Sequence, residues 1–360
     1  MHLDEIPTPA LVAEIDTLDR NIEKMASFFK DARAKLRPHF KAHKTPEILC
    51  RQLEAGACVG VTCATVYEAE ICAAHGVADI LIANEPLGPG KAERCADIAA
   101  KTRLTVAADS ELGLRELSDA VGSVGHASTI GILIDINVGM PRCGVRPEAA
   151  ADLARIATDL PGLEFRGVMG YEGHAVLMAD GDARESAARQ AMQVLLDAKA
   201  LIEESGIEVQ IVSGGGTGTY RITGMIDGIT EIQAGSYALM DDAYLDLELG
   251  FDRAAWVMTT VISRPSPHLA VADGGLKAFA MDHGNPKVIG PGQGDVMFLS
   301  DEHATLRVDE GDFPLGSKAN LSIAHIDPTV NFHDEFWVLS GDEVVARWPI
   351  EARGYGVSSA

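Results

Sequence analysis

Leu36-Arg37-Pro38-His39-Phe40-Lys41 is the first of eight short β-rich runs that alternate with amphipathic helical stretches. The others are Val59–Ala64, Asp79–Asn84, Arg103–Asp109, Gly131–Asn137, Glu164–Tyr171, Val209–Ser213 and Glu231–Gly235. Helical periodicity fills the gaps, as in Thr45–Ala55 with its Thr-Pro-Glu start, Thr65–Ala74, Pro147–Leu160 and the long Asp182–Ser205. Eight strand–helix units within about 200 residues predict an α/β fold of the (β/α)8 barrel type. A doubly wound sheet is disfavoured, because no G-x-G-x-x-G follows the first strand.

Beyond residue 250 the pattern changes to strands without long helices: Trp256–Ser263, Leu269–Asp273, Asp295–Leu299, Leu321–Ile326, Glu335–Leu339 and Glu343–Ile350. Ser340-Gly341-Asp342 reads as a hairpin turn. The expected organisation is a barrel over residues 17–245, opening with a helix at Thr17–Ala34, and an all-β domain over 246–360. The run Ala10–Ile15, within segment 1–16, precedes the first barrel helix and could pair with either domain; it is expected to join the β domain.

Composition narrows the function. Of 360 residues, 47% are hydrophobic and 23% charged, as in a globular chain. Lys plus Arg number 30 against 53 Asp plus Glu, a formal charge of −23, which argues against nucleic acid or an anionic membrane as partner. The start, Met1-His2-Leu3-Asp4-Glu5, has neither basic nor apolar targeting character, and no run approaches the roughly 18 apolar residues of a spanning helix, so a cytoplasmic location is expected. All six cysteines precede residue 144 without C-x-x-C spacing, which suits reduced thiols filling the core.

The chemically unusual residues gather at the C-terminal ends of the predicted strands, where such barrels keep their chemistry. Lys41 and His43 follow the first strand, Arg142 the fifth, Tyr171 to His174 the sixth, Ser213-Gly214-Gly215-Gly216-Thr217-Gly218-Thr219 the seventh, and Gly235-Ser236-Tyr237 the eighth. A lysine at that rim is either a solvated loop residue or an amine able to hold a carbonyl cofactor as a Schiff base. The glycine run is either a flexible turn or a set of backbone N–H groups converging on a phosphate.

Taken together, Thr8-Pro9-Ala10, Arg37-Pro38-His39-Phe40-Lys41-Ala42-His43-Lys44, Arg142-Cys143-Gly144-Val145, Ser213 to Gly218, Gly235 to Asp241 and His325-Ile326-Asp327-Pro328-Thr329-Val330-Asn331 resemble the fold-type III pyridoxal-phosphate enzymes of the D-threonine aldolase and D-serine dehydratase group. The resemblance runs nearly end to end. It implies an alanine-racemase-like barrel, a β domain assembled from both chain ends, and a homodimer with active sites between subunits. It also implies pyridoxal 5'-phosphate (PLP) on Lys41, with Lys44 a solvated rim charge, and a cofactor shell of Arg142, Tyr171, Gly216, Thr217, Gly235, Ser236 and Tyr237. Arg142 matches the arginine at the pyridine nitrogen, and a guanidinium, which has no acceptor, leaves that nitrogen unprotonated.

His325-Ile326-Asp327 read alone is a polar strand face, in which residues i and i+2 point to one side and Pro328 ends the ladder. The resemblance makes it a divalent-metal site. The dehydratase branch has Cys where this chain has Asp327, and a hard carboxylate favours manganese or magnesium, with zinc or calcium as alternatives. The activity implied is metal-assisted cleavage of a D-3-hydroxy amino acid between Cα and Cβ into glycine and an aldehyde. A D-serine-type dehydratase or racemase is the alternative on the same scaffold, and a non-catalytic PLP-binding protein the alternative of another class. The group's aldolases carry a histidine several residues after the sixth-strand tyrosine, but here Tyr171-Glu172-Gly173-His174 leads into Ala175-Val176-Leu177-Met178. His174 is the substitute base, Glu172 its rival, and His43 a further group for proton transfer.

Overall fold

Pro38 cuts the first barrel strand short. The structure, a computed structural model, describes residues 1–123 and 128–356. It divides into a barrel unit, Met25–Lys41 with Leu49–Gly235, and a β unit, Met1–Lys24 with Ala42–Ile48 and Ser236–Gly356.

In chain order the elements of the first part are β1 (Ala10–Glu14), α1 (Ile15–Asp31), β2 (Lys35–Leu36), α2 (Pro46–Glu54), β3 (Val61–Cys63), α3 (Val66–Ala74), β4 (Asp79–Ile82) and α4 (Lys91–Ala99). They continue with β5 (Arg103–Ala108), α5 (Glu111–Ser123), β6 (Ile130–Asp135), α6 (Pro147–Asp159), β7 (Leu163–Met169), α7 (Gly181–Glu204), β8 (Ile211–Gly214), α8 (Tyr220–Thr223) and β9 (Glu231–Ile232). The eight strands β2 to β9 form one parallel sheet in the order β2-β9-β8-β7-β6-β5-β4-β3. Bridges Leu36–Cys58 and His39–Thr62 join its two edges and close the ring. Continuously apolar strands such as β6, buried at every residue, are what a parallel sheet covered by helices requires.

All eight expected strands are present, with ends shifted. The first differs most: regular pairing stops at Leu36, because Pro38 has no N–H to give the ladder. The backbone stays extended through His39, whose N–H donates to Ala234 O at 3.0 Å, and then turns through a 3-10 segment at Phe40–Ala42. Lys41 therefore sits in a turn beyond the strand rather than closing it.

With so short a backbone ladder, a side chain ties β2 in place. Arg37 is 2% exposed; its Nε and Nη2 donate to Glu231 at 2.9 and 2.6 Å, and its Nη1 donates to Asp79 at 2.7 Å. Burial alone would lower the guanidinium pKa, but the Glu231 and Asp79 carboxylates outweigh it and hold it above its ordinary value. One planar fork thus joins β2, β9 and β4.

The β unit adds α9 (Asp242–Leu245), β10 (Ala255–Ser266), β11 (Leu269–Ala272), β12 (Val288–Gly290), β13 (Gly294–Leu299), β14 (Ala304–Val308), β15 (Lys318–Leu321), α10 (Ile326–Val330), β16 (Glu335–Ser340) and β17 (Glu343–Pro349). β1 pairs antiparallel with β10 and parallel with β16, so the N-terminal run lies inside this sheet. Ile6, Ala10, Val12, Met258, Trp337 and Leu339 form an apolar cluster there. Gly341 and Asp342 make the two-residue turn between β16 and β17.

Three expectations fail. The strand Leu321–Ile326 is absent: β15 ends at Leu321, and Ile326–Val330 is a helical turn whose first turn accommodates Pro328, where a missing N–H costs nothing. β12 and β14 were not foreseen, although Ala304, Leu306 and Val308 alternate buried with more exposed Thr305 and Arg307. Of the six thiols only Cys63, Cys72 and Cys95 are buried, while Cys50 is exposed and Cys58 and Cys143 are intermediate.

Arg37→Ala leaves two carboxylates without their buried partner and is expected to cost about 3–5 kcal/mol of stability. Urea denaturation of parent and variant measures this; an unchanged midpoint would show that β2 does not depend on Arg37.

Candidate active site

The C-terminal edge of the barrel brings three of the anticipated residues together. Arg142 lies over the Tyr171 ring, its guanidinium carbon 5.4 Å from the centroid, a cation–π geometry. The Cε2 edge of the same ring is 3.4 Å from where a Cβ on Gly216 would sit. Lys41 is half-buried in its turn, Thr217 is buried in the glycine loop, and Gly235 follows β9.

Glu172 gives that loop its shape. Its fully buried carboxylate accepts hydrogen bonds from Gly215 N–H at 3.0 Å and from the Thr219 and Thr223 hydroxyls, both at 2.8 Å. Gly216 N–H donates to Thr219 Oγ1 at 3.3 Å. The first amides of the loop are thus turned inward, contrary to the expectation that the glycine run as a whole faces an anion. Gly218 permits a close approach of backbone to backbone: a Cβ there would lie 1.8 Å from Val176 O. Glu172 is filled by three donors and is a structural acceptor, not a free base.

The histidines separate. His174 is exposed, its ring 3.1 Å from the Cβ position of Gly139, and it makes no hydrogen bond among the described residues. His43 is fully buried, and its Nδ1 accepts the Thr45 N–H at 3.2 Å, so that nitrogen carries no proton. Lys44, expected in solvent, is buried at 9% exposure with φ +54°, and its carbonyl accepts the Ala352 N–H. Lys44 is buried because residues Ala42–Ile48 belong to the β unit.

In the β unit Ser236 and Tyr237 are buried, and Tyr237 packs on Phe251 with ring centroids 5.8 Å apart. His325 precedes α10 in extended conformation, and Asp327 lies in the first turn, so the two are not on one strand face. Asp241 holds this turn, accepting Ile326 N–H at 3.0 Å through one oxygen and Tyr244 N–H at 3.1 Å through the other. Burial, with the Asp327 charge adding to it, pushes Asp241 up to about 6, against those amides and His325.

Sequence reading missed Asp282 and His283. The ligating atoms of Asp282, His283 and His325 lie within 4.8 Å of one another. His325 Nδ1 meets Asp282 Oδ2 at 2.5 Å, and the two imidazoles stack at 4.0 Å with planes 8° apart. Burial alone would raise the Asp282 pKa, but the His325 hydrogen bond and charge hold it below the usual range; burial and then His325 lower His283. The adjacent acid and imidazole in Met281-Asp282-His283 were the available signal.

These residues fit the groups the sequence suggested. A half-buried amine, an arginine on an aromatic ring and a glycine loop in which Gly214 and Gly218 leave no room for a Cβ suit a phosphate-bearing carbonyl cofactor. One carboxylate, Asp282, and two imidazoles, His283 and His325, converge at the His325 turn and suit a divalent cation.

Comparison with known proteins agrees. The family model for the alanine racemase N-terminal domain matches residues 14–242, and that for the serine dehydratase domain matches 254–339. A D-threonine aldolase of Arthrobacter sp is 36% identical over 98% of this chain and 94% of its own. A 3-hydroxy-D-aspartate aldolase of Paracoccus denitrificans (strain Pd 1222) is 36% identical over 99% of this chain and 94% of its own. The crystal structure of D-threonine aldolase from Filomicrobium marinum superposes with TM-score 0.94 at 36% identity, covering 98% of this chain and 97% of that one. More distant relatives include dehydratases. The chain belongs to the fold-type III PLP enzymes, joining an alanine racemase-type barrel to the β domain of the D-threonine aldolase and D-serine dehydratase group.

Because Glu172 clamps the glycine loop, Glu172→Ala strands three buried donors and is expected to weaken PLP binding by roughly tenfold. A spectroscopic titration of the stripped protein with PLP reads this directly. An unchanged Kd in a folded variant would separate Glu172 from the cofactor loop.

Proposed function

We propose that this protein is a PLP- and divalent-metal-dependent lyase that cleaves D-3-hydroxy amino acids between Cα and Cβ, giving glycine and an aldehyde. The observation that carries this reading is the gathering of one carboxylate, Asp282, and two imidazoles, His283 and His325, at a turn whose next ligating side chain is Asp327, where a dehydratase-like chain would present a thiol. The aldolase relatives at 36% identity support it.

In this reading Lys41 holds the cofactor covalently. Tyr171, Gly216, Thr217 and Gly235 of the barrel unit and Ser236 and Tyr237 of the β unit are the residues assigned to bind it, and the Arg142 guanidinium, which offers no acceptor, would favour an unprotonated pyridine nitrogen. His325 and Asp327 hold the cation. Asp282 occupies His325 Nδ1, so Nε2 would be the nitrogen left to hold a cation. When bound, PLP supplies a sink for the electron pair left on Cα and the cation acidifies the substrate's β-hydroxyl. His174 is the residue assigned to take that hydroxyl proton, because its ring is exposed and otherwise without hydrogen bonds among the described residues. His43, with Nδ1 committed to Thr45, is better suited to fixing the segment after Lys41 than to moving a proton.

Manganese or magnesium is the favoured ion. A cytoplasmic homodimer is the favoured assembly. The acid excess disfavours nucleic acid, and among the described residues no helix is long and apolar enough to cross a membrane.

The direct test is product analysis with D-threonine, D-phenylserine, D-serine and 3-hydroxy-D-aspartate. Glycine and aldehyde in equal amounts are expected, whereas ammonia with a 2-oxo acid would identify a dehydratase. Borohydride reduction and peptide mass spectrometry are expected to place the pyridoxyl group on Lys41; finding it on Lys44 would overturn the assignment. His325→Ala and Asp327→Ala are expected to retain PLP but lose about a thousandfold or more in cleavage, each tenfold being about 1.4 kcal/mol of transition-state stabilisation. Exhaustive chelation should reproduce that loss, and cleavage that survives it would remove the metal from the reaction.

A further inference from the structure

Asp282 and His283 are exposed and lie in the stretch between β11 and β12, which has neither strand nor helix. Their side chains nevertheless meet His325, with Asp282 on Nδ1 and the His283 ring stacked at 4.0 Å. An exposed coil holds one course only where its two ends are fixed. On the C-terminal side the sheet fixes it: Lys287 N–H donates to Ser322 Oγ at 2.7 Å, Ser322 N–H returns a bond to Lys287 O at 2.8 Å, and β12 then pairs with β15.

On the N-terminal side no strand does so. The residues that lead to Asp282, Ala278-Phe279-Ala280, are buried, and two of their backbone groups turn to side chains of α10 and the turn that follows it. Ala280 N–H donates to Thr329 Oγ1 at 3.1 Å, and the Thr329 hydroxyl donates in turn to His325 O at 2.7 Å. Four residues on, His333 Nε2 lies 3.0 Å from Ala278 O; a carbonyl can only accept, so Nε2 carries the proton. Thr329 is fully buried, which keeps water from competing for its bonds. One hydroxyl thus joins the backbone leading to Asp282 and His283 to the backbone of His325 itself.

We propose that Thr329, assisted by His333, is a positioning residue that sets Asp282 and His283 against His325 and so raises the affinity of the turn for a divalent cation. The inference rests on the reading of that turn as the metal site. A threonine suits the role because its hydroxyl donates to one carbonyl while accepting one amide, which a valine of similar shape cannot do. Groups that orient a ligand from outside commonly matter roughly tenfold to a hundredfold to metal affinity. Neither Thr329 nor His333 touches the ion or the substrate in this account.

The test is titration of the full-length PLP-loaded protein, freed of other metals, with Mn2+ alone, the free ion being read by its electron paramagnetic resonance. Binding lost in His325→Ala defines the site at the turn. Thr329→Val is expected to weaken that site by about tenfold or more, while Thr329→Ser, which keeps the hydroxyl, stays close to the parent and both retain the absorbance of bound PLP. A packing role alone would not separate the two variants. Equal Kd in parent and Thr329→Val would overturn the proposal and leave the metal site standing, as would a Thr329→Ser as weak as Thr329→Val. A parent that takes up no Mn2+ at the turn would instead overturn the reading beneath it, and the proposal with it. Should Thr329→Val fail to fold, His333→Gln, whose amide N–H can stand in for Nε2–H, and His333→Phe, which offers none, decide by the same titration. Binding weakened only in His333→Phe is expected, and equal binding in both would overturn the proposal.

Discussion

The barrel unit depends on one buried ion cluster. Pro38 denies β2 a continuous ladder, and two residues of regular pairing are too few to define where the first strand ends. Arg37 makes up the deficit by bonding the strand's neighbour β9 through Glu231 and the base of β4 through Asp79. A lysine could not do this, since a point ammonium lacks the rigid fork that meets two carboxylates on different strands. The 3-10 turn bearing Lys41 begins three residues later, so its position follows from a charge network that ties Arg37 to the first residues of β4 and β9.

The same logic recurs along the rim. Glu172 inside the glycine loop and Asp241 under the His325 turn are both buried carboxylates whose oxygens are taken by backbone amides and, for Glu172, hydroxyls as well. Each shapes a segment that carries site residues. Such groups are expensive to bury unless fully bonded, and once fully bonded they fix one backbone course. Residues that look like acids for catalysis in the sequence can therefore serve as scaffolding, and Glu172 is the clear instance.

The strand count and the closing of the barrel were legible because they rest on periodicity and apolar content, which are local. The His325 turn was not. An imidazole and a carboxylate two residues apart fit a strand face and a helix start equally well, and the choice was made by Asp241, distant in sequence, and by Pro328. Asp282 and His283 escaped for a related reason: no spacing rule links residue 282 to residue 325, and only folding brings their donors together. Lys44 looked solvated because nothing local tells that Ala42–Ile48 leaves the rim for the β unit. The fold was therefore readable nearly throughout, the assignment of cofactor residues came from resemblance alone, and the geometry of the His325 turn was hardly legible at all.

If the His325 turn holds the ion that makes carbon–carbon cleavage possible, the position of that ion is the most direct thing to measure. Anomalous diffraction at the manganese edge, from crystals of manganese-loaded protein, would locate it. A peak at bonding distance from His325 Nε2 and the Asp327 carboxylate, with Asp282 still on Nδ1, is the predicted result. No manganese peak at that turn in fully loaded, active protein would contradict it.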